Sequence, residues 1–263
     1  MIPLVNLLIA VGMLAVVPLG LALIEDGGRL RPLWYAGALP GALALWLPRG
    51  ALAVALAALY AAATAVLASR ALPRAIAALS SREDAAREAA VATALAAPVV
   101  AGVALVAERG GYALFGYDPV ILRLTVAHFH FAGFAAALVA GLVARADGGR
   151  LGTFAAWSVP AGTLAVLSGY FVSQWAEFAG AVVLTCGMWA VAAVSLRGGV
   201  WLRVSGAVLA GAMVPALWYA LGEASGLPHP GLAWTAATHG VANALGFGLC
   251  GMIGWRMTKE PVL

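Results

Sequence analysis

The chain is a succession of apolar stretches, most of them fifteen to twenty-five residues long, separated by short segments that hold nearly all of its charge. Wound as a helix at about 1.5 Å per residue, stretches of roughly twenty residues match the hydrocarbon thickness of a bilayer. Inside hydrocarbon every backbone N–H and C=O must be bonded within its own segment, so stretches this apolar are expected to be helices. Polar, glycine and proline punctuation divides the chain into nine candidate spans: residues 2–24, 33–47, 50–69, 89–107, 120–144, 151–170, 174–196, 200–221 and 232–256. The tight Leu47-Pro48-Arg49-Gly50 turn makes the second and third an antiparallel pair. Only 10% of the 263 residues are charged, against roughly 25% in a soluble domain, and 63% are hydrophobic. A globular enzyme, a secreted disulfide scaffold and a nucleic-acid binder are thereby excluded. Cys186 and Cys250 lie inside apolar runs and are expected to pack as small hydrophobes. The opening run reaches Ile24 without a basic leader, which predicts a first span rather than a cleaved signal.

The cations test this division. Placing alternate loops on one side collects Arg29, Arg31, Arg70, Arg74, Arg82, Arg87, Arg145, Arg150, Arg197, Arg203, Arg256 and Lys259, twelve of the fifteen. Only Arg49, Arg109 and Arg123 fall on the other side. That asymmetry predicts an all-α integral membrane bundle of about nine transmembrane helices, N-terminus outside and C-terminus cytoplasmic, in a bacterial inner membrane. No repeat or linker divides it, so residues 1–263 read as a single transmembrane domain. The longest connection, residues 70–88, carries Ser80-Ser81-Arg82-Glu83-Asp84. Ser80 or Ser81 is expected to cap a fourth helix that protrudes from the membrane.

Glu25, Asp26, Glu83, Asp84, Glu88, Asp147 and Glu260 sit among the basic loops and read as local charge balance. Glu108, Asp118, Glu177 and Glu223 fall at the opposite helix ends, and all four histidines lie in that half. His128 is about 12–14 Å down its helix and His239 about 10 Å down the last one. Ionisable groups at that depth are costly and mark functional sites by default. Asp118 precedes Pro119, as an N-cap would. His128 and His130 point about 200° apart, so they cannot share one metal from a regular helix. No metal or other cofactor is predicted. His239 and Asn243, four residues apart, share a face. Glu177 stands between Trp175 and Phe178 at the head of an apolar run.

Three segments carry a resemblance: Asp118-Pro119-Val120-Ile121, His128-Phe129-His130-Phe131-Ala132-Gly133-Phe134, and Thr238-His239-Gly240 through Asn243-Ala244-Leu245-Gly246-Phe247. They resemble the YndJ-like family of bacterial membrane proteins, and the chain is similar to bacterial membrane-bound terpene cyclases acting on farnesylated substrates. The resemblance implies a bundle of membrane helices and a prenylated small-molecule substrate drawn from the bilayer lipid. On that expectation Asp118 or Glu177 donates the initiating proton, with His128 or His130 orienting it. His239 and Asn243 hold a polar head group or take the last proton. Tyr117, Arg123, Phe131, Phe134, Tyr170, Trp175 and Trp234 line the substrate's path, aromatic faces steadying carbocations. The rival expectation is a proton-coupled transporter or permease of a small or lipophilic molecule, since carboxyl–histidine relays serve proton transfer equally well. A haem or metal redox protein ranks last, for want of paired ligands.

Overall fold

The structure, a computed structural model, describes residues 1–80, 84–258 and 263. Among these residues there are helices and no strand. We number them α1 (Ile2–Leu21), α2 (Gly27–Ala44), α3 (Ala51–Ser80), α4 (Ala85–Gly110), α5 (Pro119–Asp147), α6 (Arg150–Val172), α7 (Gln174–Ser195), α8 (Val200–Ser225) and α9 (Leu232–Met257). Eight of them are long and apolar enough to cross a membrane. The exception is α2. It was expected as an apolar run from residue 33, but the helix already starts at Gly27 and so includes Arg29 and Arg31. Those arginines and two internal prolines dilute its apolar character.

The long connection differs from expectation too. Helix α4 starts at Ala85, four residues before the expected span, but α3 is prolonged further, turning once at Arg70 and continuing as Ala71–Ser80. Ser80 caps no helix start; its hydroxyl donates back to the Ile76 carbonyl at 2.9 Å within the last turn. Asp84 takes the N-cap position of α4 without a side-chain cap bond and pairs instead with Arg87 at 3.1 Å. Ser81, Arg82, Glu83, Lys259 and Glu260 lie outside the described residues.

Small residues set how closely the helices approach. Along the α6–α7 hairpin, a Cβ added at Gly162 would fall 2.5 Å from the Leu184 backbone, and one at Gly180 would fall 2.5 Å from that of Val166. The backbones therefore touch with almost no side chain between them, the usual basis of helix association in lipid. At the centre lies α5, whose stretch from Phe134 to Ala140 is fully buried.

Three helices depart from α geometry in the same region. Wider π turns occupy Gly12–Val16 in α1, Phe129–Ala135 in α5, and Ala236–Gly240 and Ala242–Leu249 in α9. The π segments of α1, α5 and α9 contact one another in the middle of the bundle. A π turn takes carbonyls out of the regular ladder, and here side chains of neighbouring helices take them up. Trp34 Nε1 donates to the Met13 carbonyl at 2.7 Å and Tyr35 Oη to that of Leu14 at 3.3 Å, tying α2 to α1. Thr163 Oγ1 donates to Ala132 at 3.2 Å, and Ser205 Oγ to Phe247 at 3.0 Å.

Charge is sorted to the two ends. At the arginine-rich end Asp26, Glu88 and Asp147 pair with Arg29, Arg74 and Arg197 at 3.0–3.1 Å. At the other end Arg49, Arg109 and Arg123 all converge on Glu108, which is completely buried.

Candidate functional site

The two neighbouring histidines of α5 part company, as their spacing requires. His130 is fully buried and turned toward α1 and α3. Its Nδ1 lies 2.6 Å from the Val126 carbonyl, and since a carbonyl only accepts, Nδ1 carries the proton. The Tyr60 hydroxyl therefore donates to Nε2, at 2.8 Å. Trp34 packs edge-on against Tyr60, with ring centroids 5.6 Å apart. Every polar atom of His130 is satisfied in this closed nest, which is remote in character from a substrate path. A side chain at position 12 would strike the imidazole at 2.7 Å, so Gly12 is what admits it.

His128 faces the other way. It is not covered by neighbouring side chains despite its mid-helix position, and it makes no hydrogen bond among the described residues. It lies within electrostatic reach of His239 on α9. His239 Nδ1 donates to the Ala212 carbonyl of α8 at 2.7 Å, and the Asn243 amide contacts the imidazole at 3.0 Å from Nε2. Asn243 Oδ1 is buried without a partner. One turn along α8, Pro215 lacks the N–H that would otherwise bond the Gly211 carbonyl, which loosens the ladder beside this contact. His128, His239 and Asn243 thus form a mid-bundle polar group at the edges of the π segments.

A second tier lies toward the helix ends. Glu177 occupies the first turn of α7, in electrostatic reach of Tyr117, Tyr170, Tyr219 and Glu223. Glu223 stands 3.3 Å from His229 Nε2, whose ring meets Tyr219 edge-on at 5.3 Å. The Tyr117 hydroxyl donates to the Tyr170 carbonyl, and their rings meet edge-on at 5.8 Å. Partial burial first, then the nearby Glu177 carboxylate, push the Tyr117 phenol up from its ordinary value. Tyr219 and Ala212 are seven residues apart on α8, so the two tiers are separated by about 10 Å.

Other candidates from the sequence fall elsewhere. Asp118 is the N-cap of α5, accepting from the Val120 N–H at 2.7 Å, and is exposed. Arg123 is buried against Glu108 at 2.5 Å instead of facing a ligand. Phe131 and Phe134 are core residues, 6% and 0% exposed, and line no open path. Trp175 and Trp234 are exposed on the perimeter, Trp175 stacking edge-on with Phe178. Tyr170 is 42% exposed beside Glu177. Among the described residues no three His, Cys, Asp or Glu side chains gather as a metal cage. Tyr60, Trp34, Tyr219, Glu223 and His229 were not singled out as site residues. Only Tyr60 offered a local signal, as the lone aromatic in an alanine-rich span.

Fold and polar tiers together define an all-helical, multi-pass membrane protein with ionisable groups in its interior. A family model described as YndJ-like protein matches residues 7–247, so the chain belongs to the YndJ-like family. No curated protein and no solved structure matches it.

Proposed function

We propose that the chain is a proton-coupled permease for a small or lipophilic molecule, crossing a bacterial inner membrane nine times. In this reading α2 is the ninth span, the N-terminus is outside and the arginine-rich end is cytoplasmic. The observation that carries the function is the two-tier ladder of titratable groups entering from one end. Glu177, Glu223 and His229 stand at the mouth, and His128 and His239 stand about 10 Å further in. Titratable side chains thus stand at both depths, and the His128 imidazole is not committed to a structural hydrogen bond. The π segments beside it are irregular helix turns of the kind frequently found at functional sites. The terpene-cyclase reading draws less support: Phe131 and Phe134 are consumed by the core, and Asp118 by its cap.

Reconstitution in proteoliposomes with an internal pH-sensitive dye tests the proposal. Solute-dependent proton movement is expected, falling at least tenfold in His128→Gln while the protein keeps its melting temperature. Isomeric cyclic products of unchanged mass from farnesyl-bearing substrates, with no proton movement, would replace the permease by the cyclase.

A further inference from the structure

The end of the molecule at which Arg49, Arg109 and Arg123 meet holds more positive charge than it neutralises. All three guanidinium groups bond Glu108, and among the described residues none of them enters any other ion pair. Three cations therefore share one carboxylate. The crowding falls on a single atom: Glu108 Oε1 accepts from Arg49 Nη2 at 2.9 Å, Arg109 Nη2 at 2.6 Å and Arg123 Nη2 at 2.5 Å, where an oxygen offers about two lone pairs. Asp118, the next acid along the chain, is committed to its cap.

Arg109 is offset elsewhere. Its Nη1 donates to the Ala44 and Leu47 carbonyls, both at 3.1 Å, at the end of α2 where the helix dipole is negative. Arg123 has no such offset. It is 7% exposed, and its Nε is buried with no acceptor. A buried donor without a partner is a standing cost, larger for a charged group, and an anion held against the cluster would offset that charge.

Arg49 is where such an anion can reach it. The side chain is 46% exposed, and of its three nitrogens only Nη2 has a partner among the described residues. Its stem passes beside Gly111 at the end of α4, where an added Cβ would stand 3.9 Å from Arg49 Cδ. The flanks are apolar: Leu43 and Trp46 on one side of the α2–α3 turn and Leu52 on the other are all exposed. An exposed tryptophan at a helix end belongs at the membrane interface. Acyl chains then surround the leucines, and head groups lie level with Arg49.

We infer that the arginine cluster at Glu108 binds the phosphodiester of an anionic membrane phospholipid. Arg49 bonds the phosphate, the surplus charge behind it holds the phosphate in place, and the acyl chains lie along Leu43, Trp46 and Leu52. A guanidinium fork matches two phosphate oxygens at once. Glu108 is completely buried under its arginines, so no carboxylate is left to receive a choline or ethanolamine cation, and a lipid of net negative charge is preferred. The inference does not rest on the permease reading.

The test uses the full chain in a neutral detergent, titrated with dioctanoyl-phosphatidylglycerol, dioctanoyl-phosphatidylcholine, dioctanoylglycerol and inorganic phosphate. Calorimetry reads binding and the melting temperature reads folding. Phosphatidylglycerol is expected to bind at least tenfold more tightly than the other three. Arg49→Gln should lower its affinity tenfold or more, Arg49→Lys, which keeps the charge and loses the fork, severalfold, and Arg70→Gln at the far end less than twofold. Equal affinity for phosphatidylglycerol and dioctanoylglycerol, full affinity in folded Arg49→Gln or Arg49→Lys protein, or an equal loss in Arg70→Gln overturns the inference. Inorganic phosphate binding through Arg49 as tightly as phosphatidylglycerol removes the lipid and gives the cluster to a soluble oxyanion.

Discussion

Glu108 holds three guanidinium groups on one carboxylate, and its position explains why those arginines sit at the end where loop cations are otherwise scarce. Arg109 adds contacts to the carbonyls that close α2, where the helix dipole is negative. Removing the carboxylate leaves Arg109 and Arg123 buried beside each other without compensation. Glu108→Gln is expected to destabilise the protein by about 3–5 kcal/mol, the usual penalty for breaking a buried charge pair. Arg49→Gln should cost under about 1 kcal/mol, because that side chain is 46% exposed and screened. Denaturant unfolding in mild detergent measures both. Tyr60→Phe tests the other closed nest. It strips Nε2 of the fully buried His130 of its donor and is expected to cost about 1–3 kcal/mol by the same measurement, without altering proton movement.

Individual elements show how packing overrides composition. α2 is the least apolar helix, yet it is anchored by Trp34 and Tyr35 to carbonyls that the π turn of α1 releases. The α6–α7 hairpin is held by the absence of side chains at its glycines. Gly162→Leu should therefore force the two backbones apart, lowering stability by about 1–3 kcal/mol, as overpacking does. Gly211→Ala on α8, where an added Cβ meets nothing within 4 Å, serves as the control and should leave the melting temperature unchanged. A melting temperature for Gly162→Leu equal to that of the control would show that the close approach is not needed.

For the whole molecule, the distribution of arginines predicts orientation. In a protein whose Cys186 and Cys250 are replaced by serine, a cysteine at Gly226 is expected to react with a membrane-impermeant thiol reagent added outside intact cells. One at Gly199, in the α7–α8 turn at the arginine-rich end, should react only after the membrane is opened. Reversed labelling would turn the bundle over and place the Glu177 mouth in the cytoplasm.

The helical class and the approximate limits of most elements were legible because both follow from local rules: hydrophobic length, backbone self-satisfaction and loop charge. The same local rules placed Asp118 before Pro119 as a cap and set His128 and His130 on different faces. Which face meets which neighbour was not legible. Nothing near Tyr60 announces His130, seventy residues away, and nothing near Glu177 announces Tyr219 or Tyr117. These pairings depend on how glycines let backbones approach and on where π turns shift the register of α1, α5 and α9. Those are properties of several helices at once, and so the tertiary structure alone decided which ionisable groups are locked into the scaffold and which are left open to a ligand.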